Sequence, residues 1–544
     1  MRPRSEAIQQ AARTSYDVCV IGGGATGAGC ALDSQLRGLK TILVEAGDFG
    51  SGTSTASTKL IHGGLRYLQQ AVTEIDLAQY RVVRQALRER RLMIRNAPHL
   101  AGARQFVVPC FSLPQAAYYR VGLKFYDWLS GDAGLSRSRF VGRKESVECM
   151  PCLNGQDLFG TVVYSDGQFD DARYNLALVQ SCSASGGEVL NYARVVGFTK
   201  DENGRLVSAQ IEDRESKQRI EVVAHAFVNA TGPFSDSVRR LAAGDVNPRL
   251  RLSKGVHVLL PLPEDFGNAA LLIPKTDDGR VIFAIPWLGR LLVGTTDTEA
   301  TLDSEMIVTR EEAEFLLRHL NRYLTTHFAV TDIVSALAGL RPLLQSKDPR
   351  DTKKLTRDYE VTIEANSGLI SVLGGKWTIY RVMAEDAINA VETRLKGRIT
   401  ECPTRHHLLF GVEQDSTGAV ESTMLHLTQK FGSRKDRILD LAREDASLLR
   451  PILDGTPHIR AEVVYCVREE MAVSIEDILS RRLGLQFFDW RLAVEAAPIV
   501  GQILARELGW TQNRTDEEIL DYVGRINRFL KALGLEPVPA AKTS

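Results

Sequence analysis

A glycine turn set between a strand and a helix constrains this chain more than any other feature. The stretch DVCVIGGGATGAGCALDSQLRGLKTILVEAGD reads as a buried strand, a turn, a helix with small residues on one face, and a second strand, which is a βαβ unit. The first strand is expected to end at Ile21 or Gly22 and the helix to run through Ala28 to Arg37. Gly38 is its expected C-cap, and the next strand spans Thr41 to Glu45. Gly22 permits the tight turn, Gly24 lets the backbone approach a pyrophosphate, and Gly27 lets helix and strand pack, while the helix start offers its amides to the anion. Glu45 ends the second strand, where a carboxylate accepts hydrogen bonds from a ribose 2′-hydroxyl and disfavours a 2′-phosphate. A dinucleotide site is the expectation, against a tight turn in an ordinary βαβ unit.

The rest of the chain narrows the choice of dinucleotide. A nicotinamide enzyme would continue with regular βα units, but the second strand runs into GDFGSGTSTASTKLIHGGLRYL, a loop of small hydroxyl residues and glycines suited to close approach to a large flat cofactor. Thr53, Ser54, Ser57, His62, Gly63 and Gly64 are its candidate contacts. A later strand ends in Ala230-Thr231-Gly232, where backbone is expected near an adenosine, and Val195 is counted with this set. At Gly374-Gly375-Lys376-Trp377 a strand passes into a helix whose N-terminus is placed to face a flavin and stabilise its reduced anionic ring. All three features agree on FAD.

Strands of the nucleotide-binding type alternate with antiparallel ones, including a meander with a hairpin turn at Asn203-Gly204. The expected fold is therefore α/β, with a Rossmann-like FAD-binding domain in pieces at 15–100, 150–250 and 335–395. It is intertwined with an antiparallel-sheet substrate or cap domain at 101–149 and 251–334. Helical spacing takes over near residue 400, for example with Val463, Val467, Met471 and Ile475 on one face, so a helical C-terminal domain is expected over 400–535. The chain's 544 residues contain 67 basic and 67 acidic side chains, which removes the global electrostatic argument for nucleic acid. Eight cysteines are too few for a disulfide framework.

At these motifs the sequence resembles the FAD-dependent glycerol-3-phosphate dehydrogenases of the respiratory, single-subunit type. The resemblance is carried by IGGGATGAGCALDSQLRGL, TSTASTKLIHGGLRYL, APHL, YSDGQFDDAR, VNATGPFSD, KGVH, FAIPW with VGTTDT, LRPLL, TRDYE, GGKWTIY and EMAVSIEDILSRR. It spans nearly all of residues 16–490 and implies oxidation of sn-glycerol 3-phosphate to dihydroxyacetone phosphate, with electrons passed from FAD to a membrane quinone. It also implies that Arg66, Arg341, Arg357 and Lys376 surround the flavin as cationic donors for a phosphate dianion, with Tyr67 and Thr378 adding hydroxyls. His257 in KGVH is the expected acceptor of the C2 hydroxyl proton, with Arg341 and Lys376 as the other catalytic groups. A core histidine on the strand VHVLL is the alternative reading of His257. His62 is its competitor as base, or else positions the flavin. The chain departs from the family in one place, where Ile379 replaces the second threonine of GGK-x-TTY.

A glycerol-3-phosphate oxidase using O2 and an oxidase of amines or 2-hydroxy acids are the rival readings. Cys149-x-x-Cys152 has no partner motif, so no metal is expected, and Cys402 with Cys466 cannot supply an iron–sulfur set. No apolar run is long enough to span a bilayer. The aromatic and basic stretch Leu113 to Leu129 suits an interfacial helix or a packed cap-domain helix. A homodimer resting on the inner, cytoplasmic face of the membrane is the expected working form.

Overall fold

The computed structural model describes residues 1–63, 77–131, 135–345, 359–412 and 422–539. One sheet grows outward from Ser15–Ile21, which pairs in parallel with Thr41–Val44 on one side and Arg219–Asn229 on the other. Glu188–Leu190 and Ile370–Gly374 extend it in parallel, and Tyr359–Ile363 closes the path in antiparallel register. Every residue of Thr41–Val44 is buried, as a parallel strand covered on both faces requires. Ala193–Lys200 and Leu206–Asp213 join through Arg219–Asn229 as the expected meander. Gly204, at its hairpin turn, takes φ +77°.

The helix after the glycine turn is Ala25–Leu36, starting earlier than its apolar spacing suggested because Gly24 itself takes the N-cap position. It packs against Asp171–Ala184 and Tyr380–Lys396. Gly29 lies against Tyr380 and Ala384, so a small residue here lets two helices approach closely.

The second sheet runs in the order Thr298–Ala300, Leu250–Pro261, Arg290–Gly294, Ile282–Trp287, Ala270–Ile273, Ala101–Cys110, Gly160–Phe169 and Leu60–Ile61. Ser335–Leu344 lies along Leu250–Pro261, and Arg139–Gly142 along Gly160–Phe169. Each range expected for the cofactor domain thus sends one strand into this sheet: Leu60–Ile61, Gly160–Phe169 and Ser335–Leu344.

Helices Ser422–Phe431, Lys435–Glu444, Arg460–Glu470, Trp490–Leu508 and Gln512–Leu533 form the C-terminal region, whose apolar core is continuous with that of the second sheet. The series Val463, Val467, Met471, Ile475 does not lie on one helix. The helix stops at Glu470, and Met471 takes the left-handed conformation at φ 54°. The break is held by charge. Arg173 binds Glu470 with two 2.8 Å hydrogen bonds, and Asp477 accepts from the amides of Val473 and Ser474. Asp48, just past the Glu45 strand, is buried between Arg481 and Arg482. These pairs fasten the C-terminal helices to the cofactor domain, and breaking such a buried pair costs about 3–5 kcal/mol.

Candidate active site

Main chain alone builds the first part of the site. Gly22 takes φ +106°, and a Cβ there would lie 2.6 Å from the Ala230 carbonyl oxygen; a Cβ on Gly27 would overlap the carbonyl of Gly22. Ala230 N donates to Ile21 O at 2.8 Å, so the glycine turn and the end of the Ala230-Thr231-Gly232 strand meet backbone to backbone. Thr231 Oγ1 donates to Asn229 Oδ1 at 2.7 Å, which points this hydroxyl back into its own strand. The helix N-cap, Gly24, has no side chain to offer the first turn, and among the described residues only Ser54 Oγ reaches in, accepting from Ala25 N at 2.9 Å. A tight turn closed to side chains and leading into a helix N-terminus fits a pyrophosphate. Glu45 accepts from Gly23 N at 2.6 Å and Gly47 N at 2.8 Å, and burial raises its carboxyl pKa against those bonds. Val195 is buried opposite Ile211, beside a bulge in its strand.

The hydroxyl-rich loop joins this turn to the second sheet. Thr53 Oγ1 donates to Leu340 O at 2.6 Å, and Trp377 Nε1 donates to Ser54 O at 2.7 Å. Ser57 Oγ donates to Asp171 Oδ2 at 2.7 Å, and Thr378 Oγ1 reaches the carbonyl of His62 at 3.4 Å. Gly63 N donates to Tyr126 OH at 2.8 Å. Gly374 and Gly375 both take positive φ, turning the strand so that Lys376 caps the short turn Trp377–Ile379 ahead of the helix Tyr380–Lys396. Ile379 is buried in the cofactor-domain core.

His257 and Arg341 come together across the second sheet. His257 is 1% exposed, and its Nε2 lies 3.0 Å from Thr58 Oγ1, while its Nδ1 has no partner among the described residues. Burial, then the charges of Arg341 and Lys59, hold its pKa well below the usual 6.5, so the imidazole is neutral at pH 7. His257 pairs with Gly294, where a Cβ would lie 2.6 Å from its Cγ and overlap Cδ2. Arg341 Nη1 donates to Thr296 O at 3.0 Å and approaches Asp297 Oδ1 at 3.3 Å, and Nη2 donates to Thr295 Oγ1 at 2.7 Å. Its guanidinium lies over Gly255, where any Cβ would collide with it.

Gly64, Arg66, Tyr67 and Arg357 lie outside the described residues. Sequence reasoning missed Lys59, which is fully buried, takes φ 61°, and binds Asp171 at 2.6 Å and the Thr55 carbonyl at 2.8 Å. Its ammonium also lies 4.8 Å from the centre of the Trp287 ring. Both residues stood in motifs already singled out, but only the fold pairs them. Cys149 is exposed and Cys152 buried.

Comparison with known proteins places the chain in a family. The FAD dependent oxidoreductase family matches residues 17–381, and the C-terminal domain of alpha-glycerophosphate oxidase matches residues 371–515. A mitochondrial glycerol-3-phosphate dehydrogenase of Arabidopsis thaliana is 40% identical, covering 95% of this chain and 86% of its own length. The human mitochondrial enzyme of the same name is 38% identical over 93% of this chain and 72% of its own. Among solved structures, a Bacillus halodurans glycerol-3-phosphate dehydrogenase complexed with FAD superposes with a TM-score of 0.77 at 29% identity, covering 99% of both chains.

Proposed function

The chain belongs to the FAD-dependent glycerol-3-phosphate dehydrogenases, and from that premise we propose that it oxidises sn-glycerol 3-phosphate to dihydroxyacetone phosphate, with His257 taking the proton of the C2 hydroxyl. Bound FAD supplies the acceptor for the hydride that leaves C2. The observation that carries the reading is His257, buried on its strand with Nε2 3.0 Å from Thr58 Oγ1, where burial and the Arg341 and Lys59 charges push its pKa down. A base must be unprotonated to work, and the Lys59 charge on its side of the site favours a developing alkoxide. Thr58 fixes the ring through Nε2, which leaves Nδ1 as the nitrogen with unused capacity. Arg341 and Lys376 would hold the phosphate dianion together with Arg66 and Arg357, and Tyr67 and Thr378 would add hydroxyl donors. The glycine turn, Glu45 and the Ala230–Gly232 strand end would hold the dinucleotide. The test is anaerobic bleaching of the flavin. sn-Glycerol 3-phosphate should reduce it, whereas glycerol, glycine and lactate should not, and His257→Gln should bind FAD yet bleach at least ~100-fold more slowly.

The proposal extends to a quinone acceptor and attachment to the cytoplasmic face of a membrane. Among the described residues no helix is long and apolar enough to cross a membrane. The helix Leu113–Ser130 buries Ala116, Leu123, Tyr126 and Leu129, and it leaves Leu113, Tyr118, Val121 and Trp128 exposed. Tyr119 is half-buried against the core of the second sheet and Phe125 against Val83, Leu87, Tyr126 and Leu129, so the outward apolar face is narrower than the sequence suggested. Arg120 and Lys124 are exposed beside it, an arrangement suited to anionic head groups. Wild type should co-sediment with anionic liposomes and Val121→Ser/Trp128→Ser should not. Rapid reoxidation of the reduced flavin by air, with none by quinone, would favour the oxidase instead.

A further inference from the structure

Away from the active site, the C-terminal helices bring together three side chains that the reaction does not use. We propose that His426, His458 and Glu462 form a divalent-cation site, for which Zn(II) best matches two imidazole nitrogens and one carboxylate oxygen. His426 sits on Ser422–Phe431, Glu462 in the first turn of Arg460–Glu470, and His458 on the segment entering that turn. His426 Nε2 is 2.9 Å from Glu462 Oε2, and His458 Nδ1 is 3.8 Å from the same oxygen. All three ligand atoms lie within 4.8 Å of one another. The two rings meet edge to face with centroids 4.5 Å apart. Metal–ligand bonds of about 2.0–2.2 Å place ligand atoms roughly 3.4 Å apart in a tetrahedron. The first of these separations has to open slightly and the second to close slightly, which imidazole rotations accommodate.

Four observations separate this cluster from an ordinary surface histidine–glutamate pair. Glu462 is fully buried, yet among the described residues no lysine or arginine forms an ion pair with it. A buried carboxylate needs a compensating charge, and a cation between the rings supplies it. Lys430, one turn from His426, gives its ammonium to the carbonyl of Leu483 instead. His458 is 7% exposed, and its Nδ1, aimed at the carboxylate, has no hydrogen-bond partner among the described residues. The other carboxylate oxygen of Glu462 accepts from Ile459 N at 2.7 Å. That bond orients the group as outer-shell partners orient metal ligands. The His426 side chain keeps 15% of its surface exposed, which leaves a side open for a water as fourth ligand. The ion would take the place of the His426–Glu462 hydrogen bond and pin two C-terminal helices to each other.

The experiment uses the full-length, FAD-loaded protein, freed of metal by a chelator and titrated with zinc sulfate in metal-buffered solution. Bound zinc is counted by mass spectrometry, and its ligands are read by X-ray absorption. One zinc per chain is expected, with two imidazoles and only nitrogen and oxygen ligands. The thermal midpoint should rise with free zinc. Both His426→Gln and His458→Gln should bind it more than about 100-fold more weakly, since losing an outer-shell partner alone costs about 10–100-fold. His426→Gln alters the partly exposed ring, and unchanged flavin content certifies its fold. Wild type without stoichiometric zinc, a His426→Gln protein that binds it as tightly as wild type, or sulfur ligands in the absorption spectrum would each overturn the assignment.

Discussion

Gly22 and Gly27 at the dinucleotide turn, and Gly255 and Gly294 on the substrate side, are required by different neighbours. At the turn, an added Cβ meets backbone: the carbonyls of Ala230 and Gly22. On the second sheet it meets side chains proposed to act on the substrate, the Arg341 guanidinium and the His257 ring. A clash with backbone has no low-energy escape, whereas a displaced side chain leaves the fold intact and removes only the chemistry. The cofactor half of the site should therefore fail as a structure, and the substrate half as a catalyst.

The largest expected effect tests the first half of that contrast. Gly27→Val should cost about 3 kcal/mol or more of local fit and at least ~100-fold in FAD affinity, so the protein should emerge from gel filtration colourless. A yellow Gly27→Val protein would show that the turn tolerates a side chain. Gly294→Ala should keep its flavin and lower kcat by about 100-fold or more, the share of a general base. Combined with His257→Gln it should cost little beyond either change alone; additive losses would mean the glycine acts on something other than the imidazole. Gly255→Ala, like Arg341→Ala, should lower kcat/KM by about 10–100-fold through KM, the loss of one charge-assisted phosphate contact at roughly 1.5–3 kcal/mol. A fall confined to kcat would put Arg341 at the reacting carbon instead.

The pH profile sharpens the same half. Because the pKa of His257 is depressed, its working neutral form persists below 6.5 and is lost only as pH falls through the lower folded value. With the substrate phosphate ionisation near about 6 divided out, kcat/KM should show no acid limb at 6.5. A limb at that value would mean that the base is not this histidine. The smallest effect concerns Ile379. Its side chain is 3% exposed in the cofactor-domain core, so Ile379→Thr, the residue the resemblance implies at this position, should destabilise by roughly 1–3 kcal/mol through a buried hydroxyl. Steady-state rates should stay within about twofold. A marked gain in rate would return that hydroxyl to the active site.

What the sequence made legible follows the same divide. The turn, its helix and Glu45 are close in the chain, and strand periodicity with glycine sterics specifies them before any tertiary contact forms. The Asn203-Gly204 hairpin was equally readable, because its turn chemistry is local. The helix Leu113–Ser130 was legible in extent but not in which aromatics face outward. The series through Met471 misled because apolar spacing continues across a break that Arg173 enforces from elsewhere in the chain and Asp477 from a few residues on.

The sequence by itself determined the dinucleotide turn, whose geometry is set by neighbouring residues, and the family, through the motifs that carry the resemblance and with it the proposal of His257 and Arg341. Only the tertiary structure decided that His257 is neutral, that Lys59 answers to Asp171, and that His426 meets Glu462. Those facts depend on strand register, helix packing and burial, which join residues far apart in the chain. A charge's state is fixed by what surrounds it in space, and sequence order does not record that.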